Sequence, residues 1–257
     1  MSPSGRMPRP PAGALSPAIA KLSRLSPLED EAVSLLNRLD RLSRHPGGAA
    51  LAREGEAPPP GFLISGWAAR VRRLPDGRRQ ILGLLVPGDA LGLSARIRPL
   101  DLCDVVALTP AELVGAGAMI ATLNDEARPL PGLAEAVHLS LALDEQRLLD
   151  QIMRLGRRNA AERICDLLLE LRDRLAFAGQ GDERRFPMPL TQEAVADVTA
   201  LSIVHVNRVL QQLRREGLLE LRNGEAQLHR PELLAERAGR PPPRGAPAPR
   251  RPEPRTP

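Results

Sequence analysis

Between Pro189 and Leu219 the chain reads PLTQEAVADVTALSIVHVNRVLQQLRREGLL. This segment places Ile203, Val204, His205, Asn207 and Arg208 within six residues, with Gln211 and Arg214 one and two turns further on. Methyl groups, an imidazole, a carboxamide and guanidinium groups on one helix face are the chemistry that base edges and phosphates require. The elements that would present this set are two short helices. Thr191 is an N-cap for QEAVADV, and Ser202 is an N-cap for a longer helix that Gly217 stops. Val195, Val198, Leu201, Val206, Val209, Leu210 and Leu213 recur at intervals that face one shared interior. An αα-hairpin with a merely solvated polar face fits that periodicity too. The residues after Gly217 separate the two readings: short apolar runs around Arg222-Asn223-Gly224-Glu225 signal a β-hairpin, because both turn positions tolerate positive φ. A helix-turn-helix joined directly to a hairpin is a winged helix.

At these residues the sequence resembles the Crp–Fnr transcription regulators. The resemblance continues upstream through PDGRRQILGLLVPGDALGL (75–93), VVALTPAELV (105–114) and LGRRNAAERICDLLLEL (155–171), and covers roughly residues 27–235. Ala200 departs from the pattern, which often has Gly at the turn; Ala adopts that conformation at some steric cost. The resemblance implies that Thr191, Gln192 and Ser202 touch phosphates, setting register without reading sequence. It also implies that Ile203, Val204, His205, Asn207 and Arg208 face the major groove, with Arg208 suited to pair bidentately with guanine. Ile203 and Val204 stand where cyclic-AMP-responsive members carry a charged pair, so a different operator is expected, with contacts to thymine methyls.

Composition bounds the rest. Hydrophobic residues make up 42% of 257 residues, enough for one large or two modest cores, but aromatics are only 2% and tyrosine is absent. The cores must therefore be aliphatic. The basic balance sits at the ends: residues 1–26 and 236–257 each carry a net charge of +4, leaving −3 for the body. Basic tails add non-specific attraction to DNA, but they are no argument that the folded part reads it. No run of eighteen apolar residues and no signal-peptide core is present, so a cytoplasmic protein without membrane association is expected. Cys103 and Cys165 are expected to be free thiols in a reducing compartment.

Taken in order, residues 1–20 are rich in Pro, Gly and Ser and are expected to be disordered. Leu25 to Leu42 has helical spacing, broken at His45-Pro46-Gly47-Gly48. A strand is expected over 62–74, turned back at Pro75-Asp76-Gly77 into a second over 78–86, with further strands at 104–108 and 111–115. Short strands ending in Gly and Pro suggest a small antiparallel barrel or jelly-roll; the resemblance narrows this to a β-roll of the cyclic-nucleotide-binding type. From Ala134 to Leu155, His138, Leu141, Glu145, Leu148, Ile152 and Leu155 alternate three- and four-residue steps. That is a coiled-coil seam or a helix packed on its own roll; the resemblance implies a homodimer through Leu141, Leu148, Ile152 and Leu155. The expected fold is thus α+β. Its parts are an antiparallel β-roll sensor (21–131), a dimerisation helix (132–156), a winged helix-turn-helix (157–235) and a disordered Pro/Arg-rich tail (236–257).

The resemblance also sets expectations for the signal. Cyclic-nucleotide-binding members use Gly-Glu and then Arg followed by Ser or Thr to hold the cyclic phosphate. Here Asp89 replaces the acid and Arg96 is followed by Ile97, so cyclic AMP is not the expected effector, and Arg96 and Arg98 are expected on a solvated loop. Two cysteines cannot supply a four-thiolate iron–sulfur site. No cofactor and no metal site is identified: His45, His138, His205 and His229 lack metal-ligand spacing. The expected partners are double-stranded DNA and a second copy of the chain, with RNA polymerase a candidate and the small-molecule effector unknown. Two rival classes stand beside this reading. A ligand- or protein-binding module would use the winged helix on something other than DNA, and a cupin-like enzyme would need histidines in the roll, where 61–115 has none.

Overall fold

The structure is a computed structural model that describes residues 13–93 and 102–240. Two helices, α1 (Ser16–Leu25) and α2 (Asp30–Asn37), precede eight strands. These are β1 (Leu42–His45), β2 (Ala50–Ala52), β3 (Gly61–Ser65), β4 (Ala68–Arg73), β5 (Arg79–Leu85), β6 (Ala90–Leu91), β7 (Asp104–Ala107) and β8 (Ala111–Gly115). They form two four-stranded sheets, in the orders β1-β8-β3-β6 and β2-β7-β4-β5, and every pairing is antiparallel. This is the expected roll. Helix α3 (Gly117–Leu123) leads to the long α4 (Pro131–Arg157), followed by α5 (Ala160–Phe177), β9 (Arg185–Pro187), α6 (Gln192–Thr199), α7 (Ile203–Arg215), β10 (Leu219–Arg222), β11 (Glu225–Leu228) and α8 (Pro231–Arg237).

Several boundaries differ from the sequence expectations. Residues 16–20 belong to α1, whose Ala18 and Leu22 are buried against the roll and α4, so the ordered chain starts before residue 21. A Pro early in the first turn suits a helix start, since its missing N–H has no intrahelical partner to lose. The strand expected over 62–74 is two strands. Gly66 separates them at φ +78°, where a Cβ would overlap the Pro110 carbonyl, and Trp67 turns inward. At the other end, Ala238 is buried and Arg240 bonds Asp166 and Asp173, so the expected tail does not begin at 236. The expectations for residues 1–12 and 241–257, and for Arg96, Ile97 and Arg98, lie outside the described residues. Helix α4 spans 131–157, one residue beyond the expected helix at each end.

The core is aliphatic, as a sequence with so few aromatics requires. One cluster fills the roll interior, and a second packs α1, α2 and the start of α4 on β1, β3 and β8. The third joins two halves of the chain. Trp67, Val71, Ile81, Leu84 and Val86 of the β4–β5 hairpin share one buried cluster with Ile164, Leu168 and Leu171 of α5 and with Val195 and Val198 of α6. Cys103 and Cys165 are buried and not joined by a disulfide, and burial pushes the Cys165 thiol up to about 11. Among the described residues, no helix is long and apolar enough to cross a membrane.

Candidate nucleic-acid interface

The two helices of the reading segment are each closed by their own sequence. Thr191 has extended backbone, and its hydroxyl accepts from the Ala194 N–H at 3.1 Å, satisfying one of the amides left orphaned at the start of α6. Ser202 does the same for α7, its Oγ accepting from the His205 N–H at 3.2 Å. Between them Ala200 sits in the left-handed region (φ 52°, ψ 45°), so the turn keeps the geometry that glycine would favour despite the Cβ. Gly217 (φ 65°) ends α7, and the wing turns through Asn223 (φ 53°) and Gly224 (φ 75°), both in the positive-φ conformation expected for Asn-Gly.

Val206, Val209, Leu210 and Leu213 are buried against α5 and α6, which fixes what α7 turns outward. Val204 is 77% and Ile203 47% exposed; His205, Arg208, Gln211 and Arg214 are exposed, and Asn207 is half-buried. Thr191, Gln192 and Ser202 are exposed at the starts of the two helices. A groove runs beside them, lined by Thr191, Gln192, Arg214 and the wing residues Arg222 and Asn223. Among the described residues, the guanidinium groups of Arg208, Arg214 and Arg222 make no hydrogen bond or ion pair. Those of Arg79, Arg147, Arg154 and Arg174 each bind carboxylates. The residues singled out in the sequence as base or phosphate contacts are therefore exposed, except for the half-buried Asn207.

Behind that surface α6 is held by three other elements. The carbonyls of its last turn have no intrahelical donors. Instead the Asp197 carbonyl accepts from Gln80 Nε2 of β5 (2.6 Å), Val198 from Gln151 Nε2 of α4 (2.6 Å) and Thr199 from Arg163 Nη1 of α5 (3.0 Å). Arg79 of β5 adds ion pairs to Asp197 and Glu193. A second joint lies at Asp89, which is buried. Its Oδ1 receives Lys21 Nζ of α1 (3.0 Å) and Arg147 Nη1 of α4 (3.4 Å). Its Oδ2 accepts from the Val86 amide (2.9 Å) and from Arg174 Nη2 of α5 (2.6 Å). Burial by itself would raise this carboxyl. The charges of Lys21, Arg174 and Arg147 and the Val86 amide outweigh burial and hold it well below the usual carboxylate range.

The long helix is placed differently from its sequence seam. Leu141 packs into the core of its own chain and Leu155 is half-buried. The most exposed apolar side chains are Leu149 (60%), Ile152 (68%) and Met153 (55%), with Leu148 at their flank. Of the four residues expected at the interface, Leu148 and Ile152 are thus exposed, whereas Leu141 packs on its own chain and Leu155 is half-buried. Periodicity placed the apolar residues on α4 without distinguishing a face packed on the roll from a face left open. Nothing in the spacing pointed to Gln80, Gln151, Arg163 or the partners of Asp89, all of which are contacts between distant segments.

A two-sheet antiparallel roll, a long helix and a winged helix with an open reading face define a class: DNA-binding regulators with an attached sensor-type domain. Comparison with known proteins carries this further. Residues 43–118 match the cyclic nucleotide-binding domain and residues 162–237 the Crp-like helix-turn-helix domain. The transcriptional activatory protein AadR of Rhodopseudomonas palustris is 30% identical over 184 residues, 70% of this chain and 75% of that protein. The nitrogen fixation regulation protein FixK of Bradyrhizobium diazoefficiens is 31% identical over 163 residues, 63% of this chain and 66% of that one. In fold, the chain is similar to the structure of FixK2 from Bradyrhizobium japonicum, with a TM-score of 0.65 at 22% identity over 76% of this chain and 95% of that one. The chain belongs to the Crp–Fnr family. It is a DNA-binding transcriptional regulator and not an enzyme.

Proposed function

We propose that the protein binds a near-palindromic operator as a parallel homodimer, with α7 of each copy in successive major grooves. Ile203, Val204, His205, Asn207 and Arg208 read base edges, while Thr191, Gln192 and Ser202 hold phosphates. The observation that carries this reading is the outward face of α7: among the described residues Arg208 has no intramolecular partner, and Val204 and Ile203 are uncovered beside it. The homodimer rests on Leu149, Ile152 and Met153, an apolar stripe on a 27-residue helix. Such a pair presents two recognition helices about one DNA turn apart, which requires a two-fold operator.

The roll is the signal-receiving half, and Gln80, Arg79 and Asp89 are its physical connections to the reading half. A ligand that binds one arrangement of these joints better than another shifts the population of DNA-competent dimers. Cyclic AMP is disfavoured as that ligand, because both Asp89 oxygens are already engaged by cations and an amide of the chain itself. The protein works in the cytoplasm, and RNA polymerase is the partner it recruits or obstructs.

The test is selection of bound sequences from random DNA by the full chain, with Arg208→Ala alongside. A palindrome with half-sites about one turn apart, lost in the variant, supports the reading. Salt-sensitive binding without sequence preference, unchanged in the variant, sinks it.

A further inference from the structure

The N-cap of α7 does more than start the helix. Ser202 Oγ accepts from the His205 backbone N–H at 3.2 Å, and the same oxygen lies 3.1 Å from His205 Nδ1. A backbone N–H can only donate, so that contact uses a lone pair of the hydroxyl and leaves its single proton for the imidazole. When the hydroxyl gives that proton to Nδ1, neutral His205 carries its own proton on Nε2. This is a variant of the capping box, in which the N3 side chain turns back to the cap; here the N3 residue is a histidine, and the turn back engages Nδ1 and leaves Nε2 clear of that contact. Protonation does not alter what the outer nitrogen offers. Imidazolium donates from Nδ1 to the second lone pair of Ser202 Oγ and still donates from Nε2. His205 is exposed on the reading face, one turn from Arg208.

We propose that His205 is a specificity-determining residue whose outer nitrogen is always a donor, and that Ser202 is the positioning residue that keeps it so. The base it reads must present an acceptor in the major groove, guanine O6 or N7, adenine N7 or thymine O4, and the amino edge of cytosine is rejected. The proposal rests on the assignment of α7 as the base-reading helix and narrows it to one kind of base edge at one position in each half-site. Ser and His at i and i+3 are unremarkable in the sequence, and the contact between Oγ and Nδ1 emerges only from the structure.

The experiment uses the full chain and two readouts. Two-bond proton–nitrogen correlations of the imidazoles, of which the chain has four, report the tautomer directly. The expected result near neutral pH is an unprotonated Nδ1 and a protonated Nε2 for His205, giving way to a mixture in Ser202→Ala. Sequence selection then compares the wild type with His205→Ala, Ser202→Ala and Ser202→Thr. A discrimination of about tenfold against cytosine at one position per half-site, a size suited to one hydrogen bond, is expected to vanish in His205→Ala. It should relax in Ser202→Ala and return in Ser202→Thr. A cap that acted only structurally would lower affinity for all sequences alike and leave the preference intact. A recovered operator whose profile is indifferent to His205→Ala, a uniform loss that marks a phosphate contact, or a proton found on Nδ1 of the neutral ring would each overturn the proposal. Those outcomes leave the winged helix as a DNA reader. Absence of any recovered motif in the wild type would remove that assignment as well, and this proposal with it.

Discussion

Arg174 Nη2 of α5 and Asp89 Oδ2 of the roll meet 2.6 Å apart in the interior of the protein, bridging the helix that opens the winged-helix half and the roll of one chain. Asp89 also holds Lys21 and Arg147, so one carboxylate organises three cations from three helices. Arg174 in turn binds Glu170 through Nη1 and the Leu84 carbonyl through Nη2. Buried ion pairs of this kind contribute little net stability compared with apolar packing, but removing one partner leaves the others uncompensated. Asp89→Ala is therefore expected to destabilise the protein by about 3–5 kcal/mol. The loss should be non-additive with Arg174→Ala, because each variant disrupts the same joint. Denaturant unfolding of the two single variants and the double variant measures both effects.

The same joint sets an acid dependence. The folded carboxyl of Asp89 lies well below its ordinary value, so its contribution is fully present above the unfolded pKa of about 3.9 and is lost as pH falls through the folded value. Between pH 5 and 8 the joint contributes a constant amount. Below about pH 4 the wild type should lose stability more steeply than Asp89→Asn, which has no proton to take up. Unfolding midpoints at stepped pH, read for both proteins, check the sign; parallel curves below pH 4 would refute it.

Ala200 gives a prediction in the opposite direction. Its φ of 52° is the left-handed conformation, which costs an L-residue with a Cβ roughly 1–2 kcal/mol. Glycine removes that cost but adds its own backbone entropy, about 0.5–1 kcal/mol. Ala200→Gly should stabilise the winged helix modestly, by roughly 0.5–1 kcal/mol, and leave the recovered operator unchanged. A thermal midpoint that falls instead would show that the turn relies on the Ala200 methyl.

These cases mark how far the sequence carries. Thr191 and Ser202 as caps, Gly217 as a stop and Asn223-Gly224 as the wing turn are legible because each depends on residues within a few positions of itself. The roll is legible as strands but not as topology, and β3 and β4 run together because Gly66 resembles any strand glycine until Pro110 is seen beside it. Helix α1 reads as disordered because Pro and Ser dominate up to Pro17, whereas Ala18, Lys21 and Leu22 gain their burial from α4, the roll and Asp89, all distant in sequence. The outward face of α7 is legible for the converse reason. Its outward residues are defined by what the same helix buries, and Val206, Val209, Leu210 and Leu213 stand in its own sequence.

Helix α4 turns that limitation into a measurement. Leu141 serves its own chain, so Leu141→Asp should unfold the roll half and say nothing about assembly. Ile152 and Leu149 are largely exposed and carry no such burden. In a dimer through this stripe, Ile152→Asp places two carboxylates against each other across the two-fold axis, where each loses water and gains a like charge. The variant should remain folded and sediment as a monomer, whereas Arg208→Ala should remain a dimer. Its operator affinity should fall at least tenfold, because the second half-site is no longer delivered at the effective concentration that linkage supplies. A variant that stays dimeric with unchanged operator affinity would place the interface on another surface and remove the stripe from the assembly.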